Sequence, residues 1–264
     1  MRVRAFVILA GLLSFASVGH ARDTQESVEA DASTRQVAIT SSFTGTEILL
    51  FGTVENSVQP SPEAGTYDIV AVVEGVGVPA VVRKKSRVGG LWINTSSLRF
   101  MPVPSYYAIV STRPVDEIAN PKILDANGIG FDHIRMVPAH TSWNTQLDPA
   151  EVESFKKALI HLKSEERLYV KSDFGVSFVG RSLFRATIAL PPNVPVALLT
   201  TSVYLFKDGK LLGQTKSRVM LQREGVERFI HEFALNKPFS YGLLTVAMAA
   251  VAGLAAAFAF PRGA

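Results

Sequence analysis

Cysteine is absent from the 264 residues of the sequence. Its absence excludes disulfide bonds, thiolate catalysis, and zinc or iron–sulfur sites with cysteine ligands. An exported domain without disulfides depends on its hydrophobic core for stability. Because eukaryotic secreted domains of this size usually carry disulfides, the composition favours a bacterial periplasm as the compartment, if the chain is exported.

The sequence also has little net charge once its two ends are set aside. It contains 27 Lys and Arg against 23 Asp and Glu. Three of the basic residues, Arg2, Arg4 and Arg262, lie near the termini; removing them from the 27 leaves 24 against 23 acidic residues, a net charge of +1. A surface that binds phosphates needs a stripe of positive charge. We therefore predict no nucleic-acid partner.

Motifs for metal binding and nucleophilic catalysis are missing as well. The histidines beyond residue 21 are scattered, without an H-x-H or H-E-x-x-H motif: His133, His140, His161 and His231. No G-x-S-x-G elbow is present. We therefore predict no metal, no cofactor and no enzymatic activity. The alternative is an envelope hydrolase with a loop-borne site, in which His133 or His140 would meet a carboxylate and a serine.

The first 21 residues have the pattern of a secretory signal peptide. Arg2 and Arg4 precede an apolar stretch at residues 5–15, and Gly19-His20-Ala21 is a small-x-small cleavage site. The pattern predicts cleavage after residue 21 and export of the remaining chain. An uncleaved N-terminal anchor is the alternative, but it needs a longer apolar core.

A second apolar segment, YGLLTVAMAAVAGLAAAFAF, occupies residues 241–260. At about 1.5 Å of rise per residue, this uncharged run matches the thickness of a bilayer core. We predict a single transmembrane helix over residues 239–260 in the inner membrane, a short cytoplasmic tail at 261–264, and the preceding domain in the periplasm. A GPI signal is the less favoured alternative. Small residues recur every four positions and form a candidate face for contact with another membrane helix: Ala249, Gly253 and Ala257.

Between these two segments, short apolar-rich stretches alternate with turn residues, a pattern typical of β-strands. About seven such stretches follow one another within about 75 residues without a long helix between them, which favours antiparallel sheets. We predict a mainly β chain with two β-sandwich (Ig-like) units, a helical connector and the C-terminal transmembrane helix. The predicted boundaries are a flexible leader at 22–35, the first unit at 36–112, the connector at 113–167 and the second unit at 168–238.

Local signals place some elements within these limits. Asp148 is a predicted N-cap, and an apolar stripe at helical spacing follows it: Val152, Phe155, Leu159 and Leu162. Asp208-Gly209 predicts a tight hairpin turn. Residues 226–235 are predicted to form the last strand of the second unit.

Positive charge is concentrated in one segment between two predicted strands. It contains four cations in five residues, followed by a tryptophan: Arg83, Lys84, Lys85, Arg87 and Trp92. One interpretation is a solvated hairpin whose charges prevent edge-to-edge strand pairing. The other is a contact surface for anionic lipid headgroups, an acidic loop of a partner or an anionic ligand. The sequence leaves both open.

Several short motifs together resemble one known family. They are VRKKSRVGGLWIN at residues 82–94, PSYYA at 104–108, STRP at 111–114, F-x-G at 43–45, FG at 51–52 and YG at 241–242. Over nearly the whole mature chain, the sequence resembles the alphaproteobacterial family of transmembrane proteins. The resemblance implies a membrane topology but no functional residues. Because members are often encoded beside a sulfite-exporter-like permease, it also implies an inner-membrane permease as a partner.

The function that these features favour is non-enzymatic. We expect a membrane-anchored periplasmic protein that serves as an accessory or binding module of an inner-membrane, transporter-like assembly. The alternatives are the envelope hydrolase and a periplasmic domain that binds an anion. Since a β-sandwich fixes no function by itself, the choice depends on the site.

Overall fold

The computed structural model describes residues 25–139 and 148–259. The predicted signal peptide, the first residues of the predicted leader, His140 and the predicted tail lie outside this part. The strands are β1 Ser27–Ala32, β2 Gln36–Ile39, β3 Thr46–Glu55, β4 Asp68–Glu74, β5 Gly77–Val88, β6 Leu91–Pro104, β7 Tyr107–Ser111, β8 Val137–Pro138, β9 Tyr169–Ser172, β10 Val176–Phe178, β11 Leu183–Leu190, β12 Leu198–Lys207 and β13 Lys210–Arg223. The helices are α1 Val115–Ile118, α2 Pro121–Asn127, α3 Pro149–Glu165, α4 Val226–Asn236 and α5 Pro238–Ala259, with a 3₁₀ turn at Phe131–His133.

The described strands form three sheets. The first has the order β1-β3-β11-β10, the second β2-β13-β12-β4-β7-β9, and the third β5-β6-β8. Most neighbours are antiparallel; β2–β13 and β7–β9 are parallel. The predicted mainly β class with a C-terminal apolar helix is confirmed.

The structure differs from the prediction in how the strands are shared. β3 belongs to the predicted first unit, yet it pairs along its length with β11 of the predicted second unit. Likewise β4 pairs with β12, with Ala71 opposite Val203. The two predicted units therefore both contribute strands to each of the same two sheets. Strand alternation reveals which residues face a core, but it does not identify the partner strand.

One hydrophobic core joins the first two sheets. Ile48 and Leu50 from the four-stranded sheet cluster with Ile69 and Leu205 from the six-stranded sheet. The middle strands of the six-stranded sheet are buried on both faces, because the segment from α1 to the 3₁₀ turn covers the side away from the four-stranded sheet. This explains why β4 and β7 are almost continuously apolar.

Two adjacent tyrosines where β7 begins show the two faces of the six-stranded sheet. The Tyr106 hydroxyl donates to the Ala189 carbonyl in the four-stranded sheet at 2.8 Å. The Tyr107 hydroxyl points the other way and donates to the Gly128 carbonyl at 2.9 Å. The six-stranded sheet is thus the middle layer of the domain.

The third sheet has a smaller core of its own. Val82, Leu98 and Phe100 of the β5–β6 hairpin pack against Phe155 and Leu159 of α3. The predicted helix is present, and the Asp148 carboxylate caps it by accepting from the Ala150 N–H at 3.0 Å. The last residue of the predicted stripe, Leu162, is 50% exposed and lies outside this core.

Two predicted segments have a different structure. The predicted flexible leader contains β1, which pairs with β3 over six residues and buries Val28 and Ala32. Because this segment is rich in acidic residues, the sequence does not reveal that it forms a strand with one buried face. The predicted strand at residues 226–235 is instead part of α4. Its apolar residues recur at helical spacing, and this periodicity agrees with a helix rather than a strand.

Candidate functional site

The β5–β6 hairpin carries the basic residues that the sequence singled out. It turns at Gly89 and Gly90, whose φ angles of 57° and 87° fit a tight turn that favours glycine. The hairpin projects from its small core beyond the buried pair of Val82 and Leu98. Among the described strands, β5 pairs with β6 alone, so its other edge is unpaired. The hairpin is therefore available for contact along one strand edge and at its tip.

Strand alternation separates the predicted cluster into two faces. Arg83, Lys85 and Arg87 share the face of β5 turned away from α3, and Arg87 lies directly opposite Trp92. Arg99, opposite Val81, extends this face towards the base of the hairpin. The basic face is defined by these residues: Arg83, Lys85, Arg87, Arg99 and Trp92.

Lys84 lies on the opposite face, in line with the buried Val82. The tip of that face is apolar, with Leu91 opposite Val88 and Ile93 opposite Ser86. Leu91 is 71% exposed and Trp92 70%. The hairpin tip thus presents large apolar side chains beside a row of cations.

No described carboxylate neutralises the basic face. The sequence has no Asp or Glu between Glu74 and Asp116. Within the described ranges, Arg83, Lys85 and Arg87 form no ion pair within 4 Å. The face therefore retains its positive field for an external anionic surface.

A second candidate site is a cleft of about 480 Å³ at the base of this hairpin. The six-stranded sheet supplies Glu74, Tyr204 and Lys216, and the segment after α2 supplies Gly128 and Arg135. Pro102 and Pro104 of β6 close the side towards the hairpin.

The cleft has more positive than negative charge. Glu74 faces two cations, Lys216 and Arg135, but makes no ion pair with either within 4 Å. Desolvation by the cleft walls raises the pKa of the Glu74 carboxyl, although its side chain is still reached by solvent, and the two cations oppose this shift. With one carboxylate against two cations, the cleft is suited to a small anionic ligand.

Buried tyrosines hold the wall of the cleft in place. The Tyr107 hydroxyl donates to the Gly128 carbonyl at 2.9 Å and accepts from the Gly130 N–H at 3.0 Å. The Tyr204 hydroxyl donates to the Asn127 carbonyl at 3.4 Å. Burial raises the pKa of both phenols, so each remains a neutral donor at ordinary pH.

His133, which was considered for a hydrolase, does not line the cleft or the hairpin. His133 lies 3.5 Å from Asp125, Nδ1 to Oδ1, and no described serine hydroxyl is bonded to it. His140 lies outside the described residues. Within the described ranges, no three His, Asp or Glu side chains form a group that could hold a metal ion. The hydrolase therefore stays a prediction.

Sequence reasoning missed the cleft. Glu74, Arg135 and Lys216 come from three distant segments, and none belongs to a motif. Only the pairing of β4 with β12 and of β12 with β13 brings Glu74 and Lys216 onto one sheet. No local pattern could have identified them.

The C-terminal helix is long and apolar enough to cross a membrane. The candidate span is Pro238–Ala257, with a mean hydropathy of 1.8, and it is not buried by the rest of the described chain. The proposed helix-contact face remains uncovered: Ala249, Gly253 and Ala257 are exposed, and nothing lies within 4 Å of the Cβ position at Gly253. Its role in helix contact stays a prediction.

The architecture is that of a β-sheet domain followed by one candidate membrane span. A family described as "Putative transmembrane protein (Alph_Pro_TM)" matches residues 27–262, and the chain belongs to this family. The match confirms the resemblance drawn from the sequence motifs.

No curated protein sequence matches the chain significantly. The crystal structure of Spo0M, a sporulation control protein from Bacillus subtilis, is similar with a TM-score of 0.29 and 10% identity. The similarity covers 80% of this chain and 55% of Spo0M, so the chain spans about half of that protein. A similarity this low indicates neither a shared fold nor a shared function.

Proposed function

We propose that the protein is a non-enzymatic binding module of an inner-membrane assembly. In this proposal α5 crosses the membrane, the β domain lies in the periplasm and the C-terminus lies in the cytoplasm. The basic face of the hairpin holds an acidic surface of an integral membrane partner, such as a permease. The observation that carries the proposal is a row of cations without internal counter-charges on a projecting hairpin.

The physical argument rests on geometry as well as charge. Alternation places Arg83, Lys85 and Arg87 about 7 Å apart along one face, which gives a linear array of positive charge. Membrane anchoring confines the domain to the surface on which an integral partner also lies. Confinement raises the effective concentration of the two proteins, so a modest electrostatic contact is sufficient for association.

The test is co-purification of the full chain in mild detergent, followed by mass spectrometry. Lys85→Glu with Arg87→Glu reverses two charges of the basic face, and we expect severalfold lower recovery of the partner. The matched comparison is Lys85→Glu alone against Lys84→Glu, because each reverses one charge and the two side chains lie on opposite faces. Removal of residues 239–264 separates partner recognition by the β domain from recognition by the membrane helix.

The possible results distinguish a specific docking face for a partner protein from a nonspecific effect of charge and from binding to lipid. Equal loss with Lys84→Glu and with Lys85→Glu would contradict a specific docking face. Recovery of the protein alone in every form would contradict the binding-module proposal. Binding of the truncated protein to anionic vesicles, without a protein partner, would assign the hairpin to lipid instead.

A second candidate function is favoured by the cleft, which would bind a small anion such as a carboxylate or an oxyanion. Arg135 and Lys216 would share the negative charge, while Gln214 and backbone groups would orient it. Thermal unfolding in the presence of phosphate, sulfate or succinate tests this function. We expect a rise in the unfolding temperature that Lys216→Ala removes; no rise with any of these anions would contradict it.

A further inference from the structure

Helix α4 connects the β domain to the membrane span. It runs over Val226–Asn236, after Gly225 with a φ of 87°. The helix stops at Lys237, which has non-helical dihedrals (φ −136°, ψ 60°), and α5 starts at Pro238. A single residue therefore separates α4 from the span.

The apolar residues of α4 lie on one side. At about 100° per residue, Phe229, Ile230 and Phe233 fall within an arc of about 100°. His231 and Leu235 fall on the opposite side. Phe229 is 69% exposed and Ile230 46%, so the described chain does not cover this apolar side. Charged and polar residues within the helix exclude a position in the hydrocarbon core.

Aromatic rings connect α4 to the start of α5. Phe229 stacks on Phe233 with ring centroids 6.0 Å apart and an angle of 5° between the planes. Phe233 in turn meets Tyr241 edge-on at 6.1 Å and 73°. In one continuous helix, residues eight apart would be separated by about 12 Å along the axis. The rings meet because the chain turns at Lys237 and brings the two helices together.

We infer that α4 is an interfacial helix, lying in the headgroup region of the same membrane that α5 crosses. Phe229, Ile230 and Phe233 enter the boundary of the acyl chains, and the polar side faces water. Tyr241, near the start of the span, belongs to the same interfacial layer, where aromatic residues are favoured. The occupant of the apolar side is the lipid bilayer, since this side continues directly into the span.

This inference concerns orientation and does not depend on the partner proposed above. A membrane anchor attached through a free linker would let the β domain rotate. An α4 that lies in the interface and contacts α5 through Phe233 and Tyr241 holds the end of β13 close to the lipid surface. The β domain therefore has a restricted orientation above the membrane.

The chain's lack of cysteine permits a direct test, because one introduced cysteine carries one spin label. The variants are Phe229→Cys and Ile230→Cys on the apolar side, and His231→Cys and Leu235→Cys on the opposite side. All four positions are exposed, so the labels do not disturb the core. Leu235 is the sharper control, since it is apolar but lies on the side predicted to face water.

The full chain is reconstituted in vesicles of phosphatidylethanolamine and phosphatidylglycerol, and collisions of each label with oxygen and with a water-soluble nickel complex are measured. We expect a severalfold higher ratio of oxygen to nickel collisions at residues 229 and 230 than at 231 and 235. Equal, high access of nickel to all four sites would overturn the inference. Protection of 229 and 230 from both reagents, with spin–spin broadening, would assign this side to a second copy and also overturn it.

Discussion

Lys207 donates hydrogen bonds to both carboxylate oxygens of Glu26, at 2.8 Å and 3.1 Å from Nζ. The Tyr67 hydroxyl donates a third bond to this carboxylate at 2.8 Å. Glu26 directly precedes β1, whereas Lys207 ends β12. The contact thus fastens the N-terminal strand, which the sequence suggested to be a leader, to the six-stranded sheet.

Because of this pair, the stability of the folded protein should depend on pH in both the acidic and the alkaline range. The hydrogen bond from Lys207 lowers the pKa of Glu26 below its ordinary value of 4.5, and the bond to Glu26 raises the pKa of Lys207 above 10.5. A lowered carboxyl pKa gives stability that is present above pH 4.5 and lost as the pH falls further. A raised amine pKa gives stability that is present below pH 10.5 and lost as the pH rises.

Glu26→Gln should therefore lower the unfolding temperature at pH 7 and flatten its fall at both extremes. The measurement is thermal unfolding by circular dichroism between pH 3 and 11. Glu63→Gln is the control, because this carboxylate is exposed and lies in a turn. Parallel pH profiles for the wild type and Glu26→Gln would show that the pair adds no stability.

The pair of Asp68 and Arg113 should stabilise the junction between β4 and the helical segment. The guanidinium donates from Nε to Oδ1 at 2.9 Å and from a terminal nitrogen to Oδ2 at 2.8 Å. Because Asp68 is only 7% exposed, Arg113→Gln leaves its charge poorly compensated. We expect the free energy of unfolding to fall by about 1–2 kcal/mol, since 40% exposure of the arginine side chain weakens the pair.

The matched control for this prediction is Arg35→Gln. Arg35 pairs with Asp31 at 3.0 Å, but its side chain is 80% exposed. Its loss should change the free energy of unfolding by less than about 0.5 kcal/mol. Urea denaturation of both variants measures the difference, and equal effects would contradict a special role for Asp68.

Gly52 should not tolerate a side chain. A Cβ at this position would collide with the Glu29 carbonyl oxygen and lie 2.5 Å from the Phe184 ring and 2.7 Å from the Ala30 Cβ. Gly52→Ala should lower the free energy of unfolding by about 1–3 kcal/mol, as overpacking does in a close-packed core. Gly180→Ala, where nothing lies within 4 Å, should be neutral in the same denaturation experiment. Two neutral variants would show that β1 can move away from β3.

Replacing Leu159 by alanine should destabilise the protein more than replacing Leu162, although the sequence placed both residues of α3 on one apolar stripe. Leu159 is 5% exposed in the core beneath the hairpin, whereas Leu162 is 50% exposed. Leu159→Ala should cost about 2–5 kcal/mol, and Leu162→Ala less than about 1 kcal/mol. Differential scanning calorimetry measures both. Similar costs would mean that the hairpin does not pack on α3 as described.

Elements with a local signal were predictable. The Asp208-Gly209 turn has φ angles of 50° and 77° and joins β12 to β13 as its sequence indicates. The cap at Asp148 likewise depends on neighbouring residues. The helix α4 was missed although its apolar residues recur at helical spacing, and β1 was missed because its acidic residues resemble a linker. For β1, pairing with β3 decided between two locally allowed structures.

The two candidate sites also differ in whether the sequence reveals them. The basic hairpin was visible because its charges are consecutive in sequence, and its two faces follow from alternation along β5. The cleft was invisible because Glu74, Arg135 and Lys216 meet only through pairing between distant strands. A site built by long-range pairing has no sequence spacing to recognise.

The sequence by itself excluded cysteine chemistry and identified the candidate membrane span of this protein. Without cysteine there can be no disulfide or thiolate site, and an uncharged apolar run of membrane length can satisfy its backbone in lipid only as a helix. The tertiary structure alone decided that β3 pairs with β11, that β4 pairs with β12, and that a charged cleft lies beside them. The physical reason is that a backbone hydrogen bond is the same for every strand, so the choice of partner depends on how all side chains pack at once.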